Sequence, residues 1–112
     1  MKISQRQVGD VTILEPKGKI VIGAGDVALR EAIERAAGGG GAKLILDLQK
    51  VSKMDSSGLG ELISAHNLVT SGGGAIRLLN LPPKLHGVLG MTQIVSVYDV
   101  FDNENEAIAS FR

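Results

Sequence analysis

The sequence predicts a single small α/β domain spanning 1–112, with a mixed β-sheet of four to five strands and about four α-helices. Three observations support this. Runs of strand character alternate with runs of helical periodicity, the order of a sheet built with crossover helices. Two glycine runs, at 38–41 and 72–74, each close a helical segment just before an apolar strand run. The length of 112 residues and the apolar share of 44% suit one core, with no internal repeat or linker.

Residues 2–8 and 11–16 are β-prone runs on either side of Gly9-Asp10, a hairpin turn signal. Residues 18–22, GKIVI, read as a further strand or a continuation of the second. From Asp26 the pattern is helical. Leu29, Ala32, Ile33 and Ala36 share one face, and Asp26/Arg30 and Glu31/Arg35 form i,i+4 charge pairs on the other. Residues 43–48, KLILDL, are nearly continuously apolar, as in a strand covered on both faces. A second helix runs to about Thr70, and 75–81 is another buried strand. Pro82-Pro83 opens a short helix with Leu85, Val88 and Leu89 as its apolar face; proline fits where the first N–H groups lack helical partners. Residues 97–101 suggest a last strand, and 102–111 a terminal helix with Ala107, Ile108 and Phe111 inward.

Composition excludes several functions. Twelve basic and twelve acidic side chains cancel, so no global field draws the chain to nucleic acid or an anionic membrane. Tyr98, Phe101 and Phe111 are too few for a base-stacking platform. Cysteine is absent, which rules out disulfide and thiol chemistry. With His66 and His86 the only histidines, no metal site is expected, and no cofactor. Residues 1–6 lack a signal-peptide apolar region, and no run is long enough to insert in a membrane. The expected location is the cytoplasm.

The stretch 54–62, MDSSGLGEL, carries the chemistry. It places Asp55, Ser56 and Ser57 at a helix start, where unsatisfied N–H groups call for a cap. One cap residue suffices, and here three stand in a row. The bland reading is an ordinary N-cap. The functional reading is a modification site: a phosphate on Ser56 would lie at the positive end of the helix dipole and carry roughly −1.5 to −2 charge, against repulsion from Asp55. Gly58 and Gly60 each cost up to about 1 kcal/mol against alanine inside a helix. Either they clear space beside the hydroxyls for a partner, or they permit tight packing on a neighbouring strand. At 100° per residue, Leu59, Leu62, Ile63, His66 and Val69 fall on a buried arc. Ser57, Glu61, Ser64 and Leu68 fall opposite, which makes Glu61, Ser64 and Leu68 candidates for a docking surface. His66 reads as a core or boundary residue.

MDSSGLGEL, preceded by LILDLQKVSK, resembles the signature of STAS domains of the anti-sigma factor antagonist family, and the resemblance extends along nearly all of the chain. It implies a small mixed sheet covered by helices. It implies that Ser56, directly after the aspartate, is the phosphorylation site, with Ser57 the adjacent alternative and Asp55 part of the switch loop. It implies a partner-switching cycle. The unphosphorylated protein binds an anti-sigma factor that is also a serine kinase, phosphorylation breaks the complex, and a PP2C-type phosphatase restores the serine. The chain would regulate transcription indirectly and would not be an enzyme. One departure stands out. Many members carry an aspartate where this chain has Val21, in Gly18-Lys19-Ile20-Val21, and the next loop is one residue longer. Either Asp26 takes over the acidic role, or the partner differs.

Other motifs are weaker. Residues 23–28 match G-x-G-x-x-[GA] between strand and helix, and Asp47 lies 19 residues further on, the spacing of a dinucleotide fingerprint. The chain is too short for two mononucleotide-binding halves, Asp26 would face the pyrophosphate, and no hydride-transfer acid or base stands out. Residues 38–43 precede a strand and lack the Lys-Ser/Thr pair of a P-loop. G-x-S-x-G is absent, so Ser56 is not expected to be a catalytic nucleophile. The main rival is a STAS domain that docks constitutively in a lipid-transport or stress-sensing complex.

Overall fold

A computed structural model describes residues 1–88 and 90–112. Strand β1 (Lys2–Val8) pairs antiparallel with β2 (Val11–Ile20) around Gly9-Asp10, where Gly9 takes φ 61°. Residues 18–20 continue β2, and the chain turns at 21–25. Helix α1 (Asp26–Ala37) leads to β3 (Lys43–Asp47), which lies parallel to β2. Then come β4 (Val51–Met54), α2 (Ser56–Ser71) and β5 (Ala75–Leu79). A short 3₁₀ turn (Pro83–Leu85), α3 (Met91–Val97), β6 (Val100–Phe101) and α4 (Glu104–Ala109) complete the chain. The sheet runs β1-β2-β3-β5-β6, with β4 beside the far half of β2.

The α/β class and the mixed sheet hold, with six strands in place of four to five. The extra strand is β4. Its Val51 and Met54 are buried while Ser52 and Lys53 are exposed, and the ladder shifts register between Gly18 and Lys19. That shift breaks the period-two pattern by which a strand is read. The expected strand at 97–101 shrinks to two residues, because Val97 closes α3. Leu85 is buried as expected; the expected role of Leu89 lies outside the described residues.

Two cores flank the sheet. On one face Leu29 and Ile33 of α1, Leu62 and Val69 of α2, and Met91 and Ile94 of α3 pack on Leu14, Leu44, Leu46, Ile76 and Leu78. On the other, Ala107 of α4, with Ile108 and Phe111 beside it, covers Val11, Ile13, Ile45 and Leu79. Strand β3 is therefore buried on both sides, as its unbroken apolar run requires. Each such leucine or isoleucine contributes about 1.5–3 kcal/mol. The Tyr98 hydroxyl donates to the Leu62 carbonyl at 2.7 Å, and its ring meets His66 edge-on at 5.3 Å. This pins α3 to α2 and makes His66 a boundary residue.

Candidate functional site: the corner before α2

Asp55 is the N-cap of α2. Its backbone is extended, its carbonyl accepts from Leu59 N at 3.0 Å, and its Oδ1 accepts from Gly58 N at 3.1 Å. Its second oxygen is used elsewhere: Oδ2 accepts from Ile22 N at 3.0 Å. One carboxylate thus caps the helix and fastens the 21–25 turn to it. These N–H donors, Ile22 first, hold the Asp55 carboxyl below the ordinary aspartate range, so it is an anion near neutral pH.

Because Asp55 caps, the serines do not have to. Ser56 is the first residue of α2 and is exposed; Ser57 is half-buried. Among the described residues the side-chain hydrogen bonds of this corner are made by Asp55. The Ser56 hydroxyl stands beside helix N–H groups at the positive end of the dipole. Among the described residues no histidine hydrogen-bonds to it, and His66 lies against Tyr98. Among the described residues no group of three His, Cys, Asp or Glu side chains could hold a metal.

The two glycines divide the alternatives between them. A Cβ on Gly58 would lie 2.4 Å from the Ile20 carbonyl oxygen and 2.6 Å from Met54 Cγ, so Gly58 serves packing of α2 on β2 and β4. A Cβ on Gly60 would meet nothing within 4 Å, and Gly60 is exposed. Only Gly60 leaves open space near the serines.

The expected docking face is divided too. Ser64 is exposed and Leu68 is 45% exposed. Glu61 is not on that surface. It is buried between α2 and α1, where Oε1 takes both Arg30 Nε at 3.1 Å and Arg30 Nη2 at 2.5 Å. The bare helical wheel treated α2 as facing solvent opposite its core, and α1 occupies part of that side. Arg30 accordingly pairs with Glu61 and not with Asp26, whereas Glu31 and Arg35 do approach, at 4.0 Å. Asp26 is buried, with its Oδ1 accepting from Val27 N, and offers no exposed acid in place of the one missing at Val21. Ile22 was not singled out from sequence, yet it is 76% exposed and held by Asp55. Its signal was an isoleucine set between a strand end and Gly23.

The dinucleotide-like glycines have a local purpose. A Cβ on Gly25 would sit 2.1 Å from the Lys19 carbonyl oxygen, so the close approach is to β2 itself. Asp47 is buried and receives Gln49 N at 3.1 Å and Asn80 Nδ2 at 3.2 Å.

Among sequence relatives, the anti-sigma F factor antagonist of Paenibacillus polymyxa is 31% identical over 65 residues, covering 58% of this chain and 56% of that protein. The anti-sigma-B factor antagonist of Bacillus subtilis is 35% identical over 60 residues, covering 54% and 55%. These matches span about half the length of either relative. A crystal structure from Thermotoga maritima, provisionally named an anti-sigma factor antagonist, superposes with a TM-score of 0.84 at 25% identity, covering 96% of this chain and 92% of that one. The family model described as the STAS domain matches residues 2–107, with the serine corner and the surrounding sheet inside the match, and the chain belongs to the STAS domain family.

Proposed function

We propose that this domain is an anti-sigma factor antagonist: a non-enzymatic module that binds an anti-sigma factor serine kinase through the Ser56 corner and is released once Ser56 is phosphorylated. A PP2C-type phosphatase would reset it, and the output would be transcription, reached indirectly in the cytoplasm. The observation that carries this reading is the division of labour between Asp55 and Ser56. Asp55 makes the hydrogen bonds that hold the corner, so Ser56 can be modified without removing a bond the fold needs. The names of the relatives support the class of partner.

The energetics favour a switch of binding over a switch of fold. The helix end stabilises a phosphate by about 0.3–1 kcal/mol, and the Asp55 anion opposes it. These nearly offset, so the folded state is little affected. At a docked interface the same group must be desolvated beside a fixed negative charge, which breaks the contact. Mass-spectrometric mapping of protein isolated from its native cells tests the site. Phosphate at Ser56, absent from Ser56→Ala, is the expected result. Phosphate at Ser57 alone, or at neither serine, contradicts it.

A further inference from the structure

We infer that the open end of the second sheet face is a binding surface for an anionic lipid bilayer, on a different face from the Ser56 corner. The strand register assembles it. Lys2 of β1 lies directly opposite Lys17 of β2, and Lys19 of β2 lies directly opposite Lys53 of β4. The β2–β4 ladder shifts register between Gly18 and Lys19, but Leu14 and Ile20 on either side both face the same core, which leaves Lys17 and Lys19 together on the opposite face of β2. Glu15 and Ile13 precede them on that face, where α4 packs, whereas Leu14 and Ile20 point to the other core. All four lysines are exposed and lie beyond the reach of α4. Among the described residues none of the four makes an ion pair. The nearby acid, Glu15, is already engaged by Lys50 at 3.1 Å.

Like charges directly opposite each other destabilise a sheet. Two such pairs side by side gather four positive charges on a patch of roughly 10 Å, in a chain whose net charge is zero. The chemistry favours a lipid surface over other anions. Every member is lysine, a residue depleted at protein–protein interfaces, where arginine and aromatic anchors are enriched. The patch has no aromatic side chain on which a base could stack. It is carried by three neighbouring strands, and the exposed Ile22 stands just past the end of β2. Each lysine near an anionic leaflet strengthens binding about fivefold, so four yield two to three orders of magnitude.

Co-sedimentation with vesicles tests this, using phosphatidylcholine alone and phosphatidylcholine mixed equally with phosphatidylglycerol. The wild-type domain is expected to sediment with the mixed vesicles only, and to be released by salt. The variant Lys2→Gln/Lys17→Gln/Lys19→Gln/Lys53→Gln is expected to lose at least a hundredfold in affinity. A control with the same charge removed elsewhere, Arg35→Gln/Lys43→Gln/Lys84→Gln/Arg112→Gln, is expected to keep it, with circular dichroism confirming that both fold. No binding to mixed vesicles, equal loss in the control, or tighter binding to duplex DNA or to polyglutamate than to the vesicles overturns the inference. Ser56 is unchanged in every variant, so the result is independent of the proposed switch.

Discussion

Asp47 ends one strand of the sheet and Asp55 follows another, and both accept backbone N–H groups, yet their carboxyls shift in opposite directions. Asp47 ends β3, is 4% exposed and lies beside Glu15; burial raises its carboxyl above the ordinary range despite the bonds from Gln49 and Asn80. Asp55 follows β4 at the surface, and its donors lower it, Ile22 N foremost. The difference shows what makes a carboxylate a dependable anion: solvent access and N–H donors, with no second acid nearby. It also explains why Ser56 is where modification would tell. A phosphate there joins a charge that is already fixed.

The largest expected effect breaks the Asp55 corner sterically. Gly58→Ala puts a methyl group against the Ile20 carbonyl and Met54, and should cost about 3 kcal/mol in a urea titration, because the start of α2 must shift away from β2 and β4. Gly60→Ala, two residues on, has open space and should be neutral or stabilise by up to about 1 kcal/mol. If both glycines behave alike, the packing account of Gly58 is wrong.

Next is Asp55→Ala, which removes the cap and the tie to Ile22 together. Tm should fall by several degrees, and amide exchange should quicken at Ile22 and Gly58. The effect has a pH signature. A carboxyl whose folded pKa is depressed stabilises above its unfolded value, near 3.9, and that stability is lost as pH falls through the lower folded value. The difference between wild type and Asp55→Ala should therefore shrink on strong acidification.

Asp47→Asn should have the smallest effect and the opposite sign. A raised carboxyl contributes its stability below the unfolded pKa and loses it as pH rises through the folded one. Asparagine keeps an oxygen for Gln49 N and Asn80 Nδ2 without the buried charge. Tm should rise modestly at neutral pH, and the gain should vanish below about pH 4. A gain independent of pH would mean that burial of charge is not what distinguishes the two aspartates.

Much of this comparison was legible in the sequence. The helix start at Asp55-Ser56, the twice-buried β3 and the inward Ala107 followed from periodicity and cap preference, which are local. What failed depended on neighbours. Glu61 sat on the outer side of its own helix, and only the packing of α1 brings Arg30 against it. Strand β4 was hidden by its register shift. α3 is rich in β-branched residues, Thr92, Ile94, Val95 and Val97, and its helicity is set by Met91 and Ile94 packing on the core. The lysine patch was hidden for the same reason: composition sums charge, and only pairing across strands shows where it gathers.

The most direct measurement of the central claim is parallel affinity capture from a lysate of the native cells, with wild type, Ser56→Ala and Ser56→Asp as baits and mass spectrometry of what is retained. The account predicts a serine kinase held by wild type and Ser56→Ala and lost from Ser56→Asp. Three baits that retain the same proteins would contradict it, and would make this corner a constitutive docking site with two serines at a helix start.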